Sequence, residues 1–105
     1  MIEERRSQER VCVRLDARWE GVLARREGTV VDISPAGCFI LTADEVQPRE
    51  LIRLEISLPT GRHLYLWGEV VYTAADMGFA LRFTGCDEVE LKMLEELVAY
   101  AGAVS

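Results

Sequence analysis

Apolar residues at every second position, in short runs between turn signals, constrain this chain more than any other feature. Ile52, Leu54, Ile56 and Leu58 alternate with Arg53, Glu55 and Ser57, the period of two that puts one face of a strand on a core and the other in water. Val11, Val13, Leu15 and Ala17 repeat the pattern against Cys12, Arg14, Asp16 and Arg18. After Trp19-Glu20-Gly21 a short apolar run, Val22-Leu23-Ala24, leads to Arg25-Arg26-Glu27-Gly28, which predicts a hairpin turn closed by glycine. The β-branched stretch Thr29 to Ile33 predicts the next strand, stopped by Ser34-Pro35-Ala36-Gly37 because proline cannot donate to a ladder. Cys38 to Thr42 then returns antiparallel, and residues 43–50 form a polar loop. Pro59-Thr60-Gly61-Arg62 turns the strand that starts near Ile52 into a long arm, His63 to Thr73, where Gly68 marks a bulge or bend. Ala74-Ala75-Asp76 is a turn, and Met77 to Phe83 the last strand.

The period then changes. Leu91, Leu94, Leu97, Val98 and Ala101 recur at helical spacing, with Met93 beside them. Asp87-x-x-Glu90 fits a capping box at the start, and Gly102 a cap at the end, so a helix is expected over about 87–101. Strands at hairpin spacing followed by one helix predict a mainly β fold, a small six-stranded antiparallel barrel with a C-terminal α-helix over one opening or edge. A chain of 105 residues suits one such domain, over residues 11–105. Residues 1–10 carry charge and no apolar face, which predicts a flexible arginine-rich tail.

Composition narrows the function classes. No apolar stretch approaches the roughly 20 residues needed to cross a bilayer, and Met-Ile-Glu-Glu-Arg-Arg lacks the apolar core of a signal peptide, so a cytoplasmic protein without membrane insertion is expected. Cys12, Cys38 and Cys86 are widely spaced, with no C-x-x-C pair and His63 as the one histidine. Reduced, buried thiols and no metal site are the expectation. His63 sits at the turn predicted after Gly61-Arg62 and should be solvated, whereas Trp19 and Trp67 are expected to be buried. No P-loop, G-x-S-x-G or H-E-x-x-H is present, and no catalytic residue is expected.

Charge is informative in its distribution. The net charge of −6 argues against a binder of nucleic acid polymers. Residues 1–26 nevertheless hold seven arginines against five acids, a balance of +2, while the remainder has five basic and thirteen acidic residues, a balance of −8. An anionic ligand would have to bind near the N-terminal segment. Eleven of the twelve basic residues are arginine, whose planar fork suits bidentate contacts to phosphate or guanine.

Two clusters meet these requirements. Arg5-Arg6-Ser7-Gln8-Glu9-Arg10 contains R-x-x-x-R at Arg6 and Arg10, and Asp32-Ile33-Ser34-Pro35-Ala36-Gly37 contains D-x-S-x-x-G. Asp32 and Ser34, two apart on a strand end, project to one side. A carboxylate there can accept from the N1–H and N2–H₂ edge of guanine. Gly37 follows Pro35-Ala36, where a turn needs positive φ or a ligand needs close approach.

Together these motifs resemble the PilZ domain, a bacterial family of cyclic di-GMP receptors with a barrel of the split-barrel type. The resemblance extends to Gly68-Glu-Val-Val-Tyr and to Met77-Gly78-Phe79-Ala80-Leu81-Arg82-Phe83, which look like the family's closing strands. It implies that Arg6 and Arg10 grip phosphate and guanine groups, that Asp32 and Ser34 read a guanine, and that Gly37 shapes the turn. Arg5 sits where family members often carry another ligand-contacting arginine. The implied function is non-enzymatic: cyclic di-GMP orders the tail over the barrel, and the altered surface signals to an unidentified effector protein, with motility or biofilm outputs and the protein as monomer or homodimer. A nucleotide-independent PilZ-like adaptor and, more weakly, an RNA- or DNA-binding small barrel are the alternatives.

Overall fold

The computed structural model describes residues 10–21 and 25–104. Six strands, β1 (Val11–Glu20), β2 (Arg25–Ser34), β3 (Gly37–Leu41), β4 (Leu51–Ser57), β5 (His63–Ala74) and β6 (Gly78–Gly85), precede one helix, α1 (Glu88–Val104). The strands close into an antiparallel barrel in the order β1-β2-β3-β6-β5-β4. Closure is made by β4 pairing with β1, Ala17 opposite Ile56 and Trp19 opposite Leu54. The mainly β barrel with a C-terminal helix is therefore the fold that the alternation predicted.

Alternation also explains the core. Ala17 and Trp19 from β1, Ile52, Leu54 and Ile56 from β4, and Leu64, Leu66 and Val70 from β5 all turn inward and are buried. Trp19 meets Phe79 of β6 edge to face, ring centroids 5.2 Å apart at 74°, the arrangement the ring quadrupoles favour. On α1, Leu94, Leu97 and Ala101 are buried and Met93 and Val98 pack partly against the core. The helix lies against β1, β5 and β2.

Several expectations are corrected. Arg25 to Gly28 is not a turn: it opens β2, with Arg25 opposite Glu20 and Gly28 opposite Ala17. A Cβ on Gly28 would come within 3.0 Å of the Trp19 ring and 2.8 Å of the Leu41 carbonyl oxygen, so this glycine makes room for a tryptophan across the sheet. Gly102 does not stop the helix, which runs on to Val104; a Cβ there would meet Val11 at an ordinary contact distance of 3.4 Å. Leu91 is 39% exposed, just off the buried stripe.

Trp67, expected in the core, is 51% exposed. It lies between Leu66, which is buried, and Gly68, where the β5–β6 register shifts, and so faces outward by parity. Gly68 does mark the bulge. Cys12 is exposed for the same reason of parity, Cys38 is buried and Cys86 is half-buried. His63 opens β5 with its Nδ1 3.1 Å from Glu55 Oε2. At the start of α1 the capping box is reciprocal: Glu90 N–H donates to Asp87 Oδ1 at 2.8 Å and Asp87 N–H to Glu90 Oε1 at 3.3 Å.

Candidate functional site

The β2–β3 hairpin presents the D-x-S-x-x-G segment. Ser34 pairs with Gly37 across the loop Pro35-Ala36. The Ala36 N–H donates to Ser34 Oγ at 3.1 Å, and the Ser34 hydroxyl donates to the Gly37 carbonyl at 3.5 Å. Ser34 is only 2% exposed. Its hydroxyl therefore holds the turn beside Asp32. The Phe83 N–H donates to the Ala36 carbonyl at 2.9 Å, fastening the turn to β6.

Gly37 is required by packing. Positive φ among the described glycines occurs at Gly61 and Gly78 and not at Gly37. A Cβ on Gly37 would instead overlap the Leu81 carbonyl oxygen of β6. The absent side chain lets β3 and β6 come together under the turn, and so sets the turn's height above the barrel wall.

Asp32 is the half-buried ionisable group of the segment. A register shift between Val30 and Asp32 precedes it in the β2–β3 ladder, and bulges of this kind re-aim side chains. Arg10, immediately before β1, reaches across to it: Arg10 Nη1 lies 3.1 Å from Asp32 Oδ1, with side chains 44% and 31% exposed. The pair joins the second arginine of R-x-x-x-R to the carboxylate of D-x-S-x-x-G, 22 residues apart in sequence. Arg5 and Arg6, and the expected flexibility of the tail, lie outside the described residues.

Beneath this pair sits Cys38, fully buried. Burial pushes its thiol far above the ordinary cysteine range, and the Asp32 charge adds to the rise while Arg10 opposes it. It stays protonated and chemically inert at neutral pH. Cys86 is raised first by burial and then by Glu90, Asp87 and Glu95.

The register shows what sequence reasoning missed. Asp32 stands opposite Cys12 on β1 and Phe39 on β3; Phe39 stands opposite Ala80 on β6, and Ala80 opposite Tyr72 on β5. These residues form one row across the outer wall. A parallel row runs Ser34, Gly37, Arg82, Glu69, and Arg82 Nη2 is hydrogen-bonded to Glu69 Oε1. Sequence spacing alone does not place Phe39 and Tyr72 near Asp32, because only strand pairing brings 39 and 72 into its row. The one available signal was the outward parity of Phe39 between Cys38 and Ile40.

Two surface hollows lie elsewhere, one lined by Thr42 to Val46, Thr73 to Asp76 and Gly78, the other by Leu58 to Thr60, Arg62 and, on α1, Met93, Glu96, Leu97 and Tyr100; neither includes a motif residue. Among the described residues no cluster of three metal-ligating side chains occurs, and no helix is long and apolar enough to cross a membrane.

The family model of the PilZ domain matches residues 4–100. Among solved structures, the Bacillus subtilis inhibitor of motility (MotI/DgrA) is similar with a TM-score of 0.80 and 19% identity, over 96% of this chain and 52% of its own. The chain therefore spans about half the length of that protein. The PilZ domain of YcgR from Escherichia coli, solved with cyclic di-GMP, gives a TM-score of 0.80 at 11% identity, covering 95% of this chain and 93% of its own. Borreliella burgdorferi PlzA, in complex with cyclic di-GMP, gives 0.62 at 12%, covering 92% and 43%. No curated protein matches. At these identities the structural likeness is one of fold.

Proposed function

Since the chain belongs to the PilZ domain family, we propose that it is a non-enzymatic receptor for cyclic di-GMP, whose arginine segment closes over the barrel wall around the ligand and whose altered surface signals to an effector protein. The observation that carries this reading is the Arg10–Asp32 contact at 3.1 Å. It brings the two halves of the family's motif to one exposed place, a cationic fork beside a guanine-edge acceptor. The ligand bound by the YcgR domain and PlzA is cyclic di-GMP, and it offers both chemistries, phosphates for the arginines and a guanine for Asp32.

The roles follow the geometry. Arg10 leaves or shares Asp32 and turns to phosphate or base, Arg5 and Arg6 supply further forks, Ser34 acts by holding the turn, and Gly37 by setting its height. Three arginines and one carboxylate at about 1.5–3 kcal/mol each supply roughly 6–12 kcal/mol. Ordering a six-residue segment costs a comparable ~6–12 kcal/mol. Base stacking on the barrel must therefore supply the surplus.

Calorimetry of the purified chain with cyclic di-GMP, alongside GTP, cyclic di-AMP and single-stranded RNA, tests the reading. Saturable heat with cyclic di-GMP alone supports it. Its absence up to about 100 μM, roughly −5.5 kcal/mol, in a folded sample overturns it. The alternative, a nucleotide-independent adaptor, is favoured by the outer face of β4 and β5, where Leu51 is 57% and Trp67 51% exposed. Under the receptor reading the same patch is available to an effector protein.

A further inference from the structure

The outer face of β1, β4 and β5 carries two matching rows of side chains. Glu20 on β1 stands opposite Arg53 on β4, and Arg53 opposite Trp67 on β5. One step along the strands, Arg18 stands opposite Glu55, and Glu55 opposite Tyr65. These residues alternate with buried neighbours, Ala17 and Trp19 on β1, Leu54 on β4, Leu64 and Leu66 on β5, and so point away from the core. Trp67 is 51% exposed; on its other side stands Gly85, where a Cβ would meet only open space. Arg53 covers the Tyr65 ring at 5.0 Å and lies 4.0 Å from Glu20, whereas Arg18 has no ion-pair partner among the described residues. Beyond the two rows, Leu51 stands opposite Glu69 at one end and Ser57 opposite His63 at the other.

The order of charges decides what fits this face. Between the two rows the sign reverses on each strand: acid against base on β1, base against acid on β4, with an aromatic ring in both rows on β5. A two-fold axis lying along the wall, across the strands and between the rows, exchanges one row with the other. It sets Glu20 against Arg18 of a second copy, Arg53 against Glu55 of that copy, and Trp67 against its Tyr65. Every contact of the two rows is then opposite in charge or aromatic on aromatic, and each is made twice, as an isologous interface requires. We propose that this face is the interface of a homodimer, with a second copy of the chain as its occupant. Net charge favours the same choice. Asp87, Glu88, Glu90, Glu95 and Glu96 against Lys92 place −4 of the total −6 on the helical segment, while Arg18, Glu20, Arg53 and Glu55 sum to zero. Like-charged copies repel least where the facing surfaces are neutral. Trp, Tyr and Arg are also the side chains that most often dominate binding at interfaces. A barrel wall is convex, so the contact centres on β4, and the long side chains of β1 and β5 bridge the widening gap on either side. Three strands about 4.8 Å apart, each with seven residues at about 3.4 Å, give a footprint of roughly 14 by 24 Å. That is the small end of specific interfaces, so association is expected in the micromolar range. The inference is independent of the receptor reading.

Sedimentation equilibrium of the full chain, from about 1 μM to about 1 mM, reads the association. The expected result is a rise from the mass of one chain to that of two. Trp67→Glu, at an exposed position, should raise the dimer Kd at least about tenfold. Arg53→Glu alone and Glu55→Arg alone each set like charges against each other and should stay monomeric. Their equimolar mixture restores opposite charges at both contacts and should recover the dimer. A structural role for either residue would not produce that rescue. Trp67→Glu keeps the test decisive if a charge variant fails to fold. A wild type that keeps the mass of one chain throughout overturns the dimer and leaves the face to a different protein. A wild-type dimer whose Kd moves less than twofold in Trp67→Glu, or a mixture that dimerises no better than its components, overturns the assignment of this face.

Discussion

Replacing Arg10 by alanine separates grip on a ligand from support of the fold. The guanidinium contacts Asp32 at 3.1 Å with 44% and 31% of the two side chains exposed. An ion pair this open contributes about 0–1 kcal/mol, because water and salt screen it. Arg10→Ala should therefore lower the free energy of unfolding by no more than about 1 kcal/mol, a midpoint shift under about 8 °C for a domain of this size. Binding is a different matter. If Arg10 donates charge-assisted hydrogen bonds to cyclic di-GMP, their loss removes about 1.5–3 kcal/mol, which is roughly 10- to 150-fold in Kd. Arg10→Lys keeps the charge and loses the planar fork, so it should fall between wild type and alanine. Calorimetric titration and urea unfolding on the same samples read the two quantities. An alanine variant that binds within about threefold of wild type refutes the clasp. One that loses more than about 2 kcal/mol of stability refutes the inference that the pair is a surface contact.

Three further outcomes follow from the same geometry. Asp32→Ala should lower affinity for cyclic di-GMP while bringing it close to that for cyclic di-AMP, since the arginines see phosphates in both and the carboxylate sees only guanine donors; unchanged preference in parallel titrations refutes a role for Asp32 in reading the base. Gly37→Ala drives a Cβ into the Leu81 carbonyl oxygen and should destabilise by about 2 kcal/mol or more, read as a lower urea midpoint. Cys38 has a pKa raised by burial in the folded state, so its contribution is fully present below the unfolded value of about 8.5 and is lost as pH rises above it. Between pH 7.5 and 10 the wild type should lose about 2 kcal/mol more stability than Cys38→Ala, and equal losses would contradict the buried thiol.

How much was legible in advance varied with the range of the cause. The inward residues of β1 and β4, and the capping box at Asp87 and Glu90, were readable because strand parity and the first helical turn are set within a few residues. Gly28 was misread because its cause is the Trp19 ring on another strand, and a glycine looks like punctuation when its neighbour in space is unknown. Trp67 was misread for the opposite reason: size suggested burial, while the parity of Leu64 and Leu66 already pointed it outward. Within the site, Arg10 and Asp32 were legible as chemistry. The use of the Ser34 hydroxyl inside its own turn was not, and the Phe39–Tyr72 row was not, because both depend on how β2, β3, β6 and β5 are paired.

The Arg10–Asp32 pair also bears on how affinity and selectivity divide. The carboxylate holds a cationic donor, so a guanine that takes Asp32 would exchange one donor for others. Such an exchange gains less than new hydrogen bonds to a free carboxylate would, since the Arg10 contact is given up as the guanine contacts form. Its discriminating power is undiminished, because a base without donors on that edge would displace Arg10 and leave the carboxylate unpaired against the wall. Under the receptor reading the larger share of the affinity then comes from arginine forks on phosphate and from base stacking. Weakening the Arg10–Asp32 contact without touching either group, by raising ionic strength, should therefore change the preference for guanine less than it changes total affinity.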